Sequence, residues 1–122
     1  YPNLDGMAGL FEYNPPLMLE ALERAGKAGT IEVVAFDEAP ETLEGIRKGT
    51  VHATVVQDPY MYGYRSAELL DRLCRGDVST LPKDGFMNVP AKAIRKANLA
   101  TFEAELAARG KAGEQERAKD GD

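Results

Sequence analysis

The sequence predicts an α/β fold in which helices flank an open parallel sheet. Three apolar runs have the length of strands, and they are residues 7–11, 31–36 and 53–56. Each run is followed by apolar residues at helical spacing. Strands that alternate with helices favour a parallel sheet, because each helix returns the chain to the edge where the next strand starts.

Prolines and glycines mark the limits of the first two helices. In the first helix, Asn14 is expected to cap the amino terminus, Pro15 to occupy the first turn and Gly26 to end the helix. The second helix is predicted between Pro40 and Gly49. Each of the first two strands is therefore followed by a helix with recognisable ends.

The third unit repeats the arrangement of the first. Asp58 and Pro59 stand where a cap and a first turn are needed, and the predicted helix runs through Cys74 to Gly76. Cys74 is the single cysteine, so the chain cannot form an internal disulfide, and the residue is expected to be buried in this helix.

The last part of the chain is less regular. A weaker fourth strand is predicted over residues 86–94, either at a sheet edge or as a crossing segment because Pro90 interrupts it. Asn98 is expected to cap a final helix. We predict one domain over residues 1–109, followed by a polar tail over residues 110–122, which has almost no apolar content.

Composition excludes several classes of function. The net charge is -5, which disfavours nucleic acid as a partner, and the apolar runs are shorter than the roughly 20 residues of a membrane span. His52 is the only histidine, so no metal site is predicted, and no cofactor is expected. The sequence also lacks the glycine-rich loops that hold nucleotide phosphates.

Polar residues follow each of the three main strands. They are Tyr13 with Asn14, Phe36 with Asp37, and Gln57 with Asp58. Ligands of open parallel sheets bind outside the carboxyl ends of the strands, so Asn14, Asp37 and Gln57 are expected to lie along one rim. This set contains no nucleophile with an adjacent base, so an enzyme is not predicted.

These side chains suit a polyhydroxylated ligand. The Asp37 carboxylate could accept hydrogen bonds from two adjacent hydroxyls, while Asn14 and Gln57 could both donate and accept. The ring of Phe36 or Tyr13 could lie against the apolar face of a sugar. A purely structural interpretation stays open for each residue: Asn14 as a cap, Phe36 as core and Gln57 as a partner of backbone groups.

Two segments carry a family resemblance, and they read IEVVAFDEAPETLEGIRKG at residues 31–49 and ATVVQDPY at residues 53–60. Together with Gly63 and Tyr64, they make the chain resemble the ribose-binding-like family of type I periplasmic solute-binding proteins over residues 4–76. The resemblance implies that Asn14, Phe36, Asp37 and Gln57 are ligand-contacting residues. Where the family commonly has an acidic residue after the asparagine, this chain has Pro15.

The family resemblance also implies a function and partners. Members bind a carbohydrate between two lobes without catalysis, outside the cytoplasm, and pass it to the membrane permease of an ABC transporter. Two alternatives stay open: the effector-binding domain of a LacI-like transcription regulator, and a flavodoxin-like enzyme or signalling module.

The resemblance further implies that the chain is a carboxyl-terminal fragment of such a protein. In the family, the chain crosses to the other lobe soon after the glutamine, so residues 58–90 would belong partly to that lobe. An incomplete sheet leaves an unpaired edge and uncovered helix faces. We therefore predict a homodimer of this chain, formed by docking or by exchange of an element.

Overall fold

The computed structural model describes the backbone of residues 1–119 and the side chains of residues 1–110. The elements are β1 (Gly6–Ala8), α1 (Asn14–Arg24), β2 (Glu32–Phe36), α2 (Pro40–Lys48), β3 (Ala53–Val56), α3 (Pro59–Cys74), β4 (Lys92–Ile94) and α4 (Leu99–Lys119). The four strands form one sheet in the order β1-β2-β3-β4, and the β1–β2 and β2–β3 pairs are parallel. The predicted α/β fold with flanking helices is confirmed.

The chain divides into two compact units. The first unit contains residues 1–55 and the stretch from residue 93 onward, and the second contains residues 56–92. The predicted division into a domain over residues 1–109 and a polar tail stays a prediction. Apart from residue 110, the side chains of that tail lie outside the described residues.

Most of the core of the first unit lies on one face of the sheet. Val33 and Ala35 of β2 and Thr54 of β3 are 0% exposed, and Ala35 pairs directly with Thr54. Helices α1, α2 and α4 contribute buried residues, which are Leu22, Ile46, Leu99 and Phe102. Phe36 and Val55 belong to the opposite sheet face, because side chains alternate along a strand, and they are only half-buried.

The predicted glycine stops are confirmed. Gly26 has a φ of 64°, and the Lys27 amide beyond it donates to the Leu22 carbonyl at 2.8 Å, which satisfies the end of α1. Gly49 after α2 and Gly76 after α3 also have left-handed backbones. These turns fix where α1, α2 and α3 end.

The predicted N-cap is confirmed for α3 and is wrong for α1. Asp58 is the N-cap of α3 and accepts a hydrogen bond from the Met61 amide at 3.2 Å, as predicted. Asn14 is not a cap, because Tyr13 holds that position and α1 begins at Asn14 itself. The Asn14 Oδ1 atom instead accepts from the backbone amide of Phe11 at 3.1 Å.

The second unit has little core of its own. Helix α3 has no buried residue, and the prediction that Cys74 is buried is wrong, since it is exposed. The predicted strand over residues 86–94 is also shorter, because β4 begins only at Lys92, beyond Pro90, which cannot donate to a strand partner. Strand β4 is an edge strand, which is one of the two predicted positions, whereas Phe86 is 68% exposed.

Candidate functional site at the carboxyl edge of the sheet

Asn14 and Asp37 both follow strands of the first unit. Asp37 comes directly after β2, and Asn14 begins the helix that follows β1. Because β1 and β2 are parallel, their carboxyl ends meet at one edge of the sheet. The fold therefore brings these two residues to the same edge.

A close approach between β1 and α1 sets the position of Asn14. The Gly9 amide extends the β1–β2 pairing by donating to the Val34 carbonyl at 2.9 Å. A Cβ atom at Gly9 would lie 3.0 Å from the Asn14 Cβ and 3.1 Å from the Met18 Sδ, so a larger residue would push α1 away. Sequence reasoning missed this role of Gly9, although a glycine between a strand and a helix could have indicated it.

The side chain of Asn14 has both a structural and an unused hydrogen-bonding group. Its Oδ1 atom is occupied by the Phe11 amide, which stabilises the turn before α1. Within the described side chains, the Nδ2 group has no hydrogen-bond partner, and the residue is half-buried. The amide nitrogen is therefore available to donate to a ligand.

Asp37 has an unusual backbone and a carboxylate that is available for a ligand. Its φ is 65°, a left-handed value that Asp tolerates better than most residues. The Asp37 amide donates to the Val55 carbonyl at 2.9 Å, and its carbonyl accepts from the Thr54 Oγ1 hydroxyl at 2.6 Å. Among the described residues, no side-chain or backbone group is hydrogen-bonded to the half-buried carboxylate.

The two candidate aromatic residues differ in their surroundings. Phe36 is paired with Val55 and is half-buried on the less covered sheet face. Tyr13 is exposed and stacks on Phe11, with ring centroids 5.7 Å apart and planes 2° apart. Both rings therefore keep some exposed surface.

Gln57 belongs to the second unit and immediately follows β3. The residue is exposed, and its Oε1 atom accepts a hydrogen bond of 3.4 Å from the Tyr62 hydroxyl. The gathering of Asn14, Asp37 and Gln57 along one rim stays a prediction, as do their roles in binding.

The side chains at this sheet edge offer hydrogen bonds to a ligand, from the Asn14 amide and to the Asp37 carboxylate. Over residues 1–110 there is no group of three histidine, cysteine or acidic side chains that could hold a metal ion. The helices described are also too short or too polar to pass through a lipid bilayer. An amide donor and a carboxylate acceptor at one sheet edge can hold a ligand that carries hydroxyls.

Comparison with protein families then decides the family. The model of the periplasmic binding protein domain matches residues 1–77, which is more than half of the chain. The chain belongs to the periplasmic binding protein family. The family expected from residues 4–76 is confirmed.

Several proteins similar to this periplasmic binding protein bind sugars. The ribose import binding protein RbsB of Salmonella typhimurium is 36% identical over 59 residues, which are 48% of this chain and 20% of RbsB. GanP, a glucose-galactose binding protein from Geobacillus stearothermophilus, is 28% identical with a TM-score of 0.73. An ABC transporter solute-binding protein from Agrobacterium vitis, solved with D-fucose, is 30% identical with a TM-score of 0.71.

The structural likeness extends over most of this chain but only part of each relative. It covers 81% of this chain and 34% of GanP, and 85% of this chain and 34% of the Agrobacterium vitis protein. The chain thus spans about a third of these solved relatives. Its sheet and helices correspond to part of a periplasmic binding protein, which confirms the fold class.

Proposed function

We propose that this chain is part of a two-lobed receptor that captures a monosaccharide for an ABC-type importer. The observation that carries the proposal is the Asp37 carboxylate at the end of β2, which none of the described groups holds by a hydrogen bond. A carboxylate that no protein group engages keeps its acceptor oxygens free for a ligand. Adjacent sugar hydroxyls are suitable donors.

The chemistry of the relatives supports a sugar as the ligand. The Agrobacterium vitis relative holds D-fucose, and a relative from Burkholderia graminis that is 29% identical, with a TM-score of 0.69, holds D-arabinose. Both ligands are small polyhydroxylated molecules. In the proposal, Asn14, Asp37 and Gln57 bind the hydroxyls, while Phe36, with Tyr13 as a second candidate, covers an apolar face of the ring.

The proposed receptor performs no reaction. The bound solute passes unchanged to the membrane permease of the transporter, and the protein works in the periplasm or an equivalent extracytoplasmic space. Membership of the periplasmic binding protein family supports this location. RbsB, GanP and the Agrobacterium vitis protein are binding proteins, and none of the three is a transcription regulator, so the LacI-like alternative has no support here.

The second unit supports a division of the chain between two lobes. Large apolar residues of this unit are exposed, and they include Tyr60, Tyr64, Leu70, Val78 and Phe86. An amphipathic helix gains most of its stability by burying its apolar face, so α3 is expected to need a partner surface. In the proposal, residues 58–90 pack on the remainder of the other lobe.

Calorimetry with a panel of pentoses and hexoses tests the proposed function. The two-lobed protein, in which this chain is joined to its amino-terminal lobe, is expected to bind at least one of these sugars with about micromolar affinity. The 122-residue chain alone is expected to bind the same sugar weakly or not at all, because half a cleft cannot remove water from both sides of the ring. The absence of binding to the two-lobed protein by any member of the panel would contradict the proposed function.

We also propose that the isolated chain forms a homodimer through an apolar groove of about 520 Å³ beside β1. Strand β1 is an edge strand, and its outer side is available for pairing. The groove contains no charged side chain among the residues that line it, which include Leu10, Phe11 and Leu17. Leu17 is 60% exposed and Phe11 is 58% exposed, so a second copy of the same uncharged surface could cover them without burying a charge.

Sedimentation analysis at micromolar concentration tests the dimer. The wild-type chain is expected to sediment as a dimer, and Leu17→Glu as a monomer, because the new carboxylate would be buried in the interface. Leu81→Glu is the matched control, since it makes the same change at an exposed leucine of the second unit, and it should leave the dimer intact. A monomeric wild-type chain would refute the proposal.

A further inference from the structure

Asp37 is held in a left-handed backbone conformation that non-glycine residues rarely adopt. Among the non-glycine residues that the structure describes, it alone has a positive φ, at 65°. Residues in such conformations persist only when their surroundings fix them, and they occur frequently at ligand-binding sites. The groups that fix the Asp37 backbone therefore affect how its carboxylate is presented at the candidate site.

The strongest of these groups is the hydroxyl of Thr54 on the neighbouring strand. Its Oγ1 atom donates to the Asp37 carbonyl at 2.6 Å, and the residue is 0% exposed. Water therefore cannot replace the Asp37 carbonyl as the partner of this hydroxyl. The adjacent residue, Val55, accepts from the Asp37 amide at 2.9 Å, so β3 holds both sides of the Asp37 backbone.

The side chain of Thr54 departs from a simple core role. It lies on the buried face of the sheet, in register with Ala35, where an apolar residue of similar shape, such as valine, would suit the surroundings. A threonine at this position costs desolvation of a hydroxyl, and that cost is offset only through the bond to Asp37. The bond links the core of the sheet to the backbone of the residue that carries the candidate ligand carboxylate.

We propose that Thr54 is a positioning residue for sugar binding: its buried hydroxyl keeps Asp37 left-handed and thereby sets the direction in which the Asp37 carboxylate leaves the strand. This inference rests on the proposed function, because the carboxylate matters only if it contacts a ligand. It adds a requirement that the family resemblance did not supply, namely a hydroxyl one strand away from the ligand-contacting residue. Serine could meet that requirement, whereas valine could not.

Two measurements on the same variants separate positioning from a merely structural role. In the isotopically labelled 122-residue chain, NMR couplings and cross-correlated relaxation report the sign of φ at Asp37. In the two-lobed protein, calorimetry reports the sugar affinity. Thr54→Val removes the hydroxyl at nearly constant shape, and Thr54→Ser retains it.

Thr54→Val is expected to abolish the positive φ at Asp37 and to weaken sugar binding by about tenfold, as when one hydrogen bond to a charged group is misaligned. Thr54→Ser is expected to keep both the positive φ and most of the affinity. If Thr54→Val does not fold, Thr54→Ala provides the same comparison with a smaller side chain.

Other outcomes would overturn the inference. An unchanged φ or an unchanged affinity in Thr54→Val would show that the hydroxyl does not position Asp37. Equal loss of affinity in the valine and serine variants would assign Thr54 to packing alone. If the wild-type two-lobed protein binds no sugar, the proposed function fails, and the φ of Asp37 in the three chains still decides whether Thr54 holds its backbone.

Discussion

Replacing Asp37 with alanine is expected to weaken sugar binding to the two-lobed protein by about 2 kcal/mol or more, which is roughly thirtyfold. Two effects act in the same direction. The variant loses a charged acceptor for hydroxyls, and alanine tolerates the left-handed backbone at this position less well than aspartate. Calorimetry of the purified variant measures the change.

Asp37→Asn separates these two effects. Asparagine retains an oxygen acceptor and accommodates a positive φ, so we expect a smaller loss that reflects only the missing charge. Glu32→Gln is the matched control, because Glu32 is an exposed carboxylate at the amino end of the same strand, away from the edge where ligands bind. An Asp37→Ala affinity equal to that of the wild type would remove Asp37 from the site.

Replacing Phe102 with alanine is expected to destabilise the first unit by about 3–5 kcal/mol, the usual effect of deleting a buried phenylalanine. Phe102 is 7% exposed and lies on α4, which packs against α2. Such a loss is a large fraction of the stability of a small domain. Helix α4 is thus expected to be necessary for the sheet that carries Asn14 and Asp37.

Hydrogen exchange at the amides of β2 measures this effect on the first unit alone. Protection of the β2 amides that pair with β1 and β3 is expected to fall by roughly two to four orders of magnitude in Phe102→Ala. Phe86→Ala provides the matched control, since Phe86 is exposed in the second unit and its removal should leave protection of β2 unchanged. Full protection in Phe102→Ala would show that α4 does not support the sheet.

An ion pair between α2 and α4 is expected to contribute little by comparison. Arg47 interacts with Glu103 of α4 and with Glu44 of its own helix. The hydrogen bond to Glu103, followed by that to Glu44, raises the pKa of Arg47 above its usual value. All three side chains are substantially exposed, and such pairs are worth little in water, so the attachment of α4 depends mainly on its buried apolar residues.

The sequence predicted those elements whose ends are marked by local chemistry. Strand β3 and helix α3 have the predicted bounds because Asp58 supplies a cap and Gly76 adopts a left-handed turn. Helix α2 also has the predicted bounds, since Pro40 begins it and Gly49 ends it. These signals depend on residues within a few positions of each other, which a sequence displays directly.

Two predictions were wrong, the helix cap at Asn14 and the burial of Cys74. Asn14 could have capped α1, but the turn before it offers the Phe11 amide, and a short polar side chain can bond to either. Cys74 was expected to be buried because free cysteines usually are, yet residue type does not show what covers a helix face. Local pattern therefore could not decide either case.

The sequence indicated the candidate ligand residues but not the residues that hold them in place. Asn14 and Asp37 follow from the rule that ligands bind beyond the carboxyl ends of parallel strands. The contributions of Gly9 and Thr54 depend on the register between strands and on the close approach of a helix. These relations join residues far apart in sequence, so composition and spacing do not reveal them.

A crystal structure of the two-lobed protein with its bound monosaccharide tests the central claim most directly. We predict that the Asp37 carboxylate accepts hydrogen bonds of about 2.5–2.7 Å from two adjacent sugar hydroxyls, with the Asn14 amide donating to the same ligand. A sugar bound out of reach of both side chains, or an Asp37 carboxylate held only by protein groups in the complex, would contradict the account.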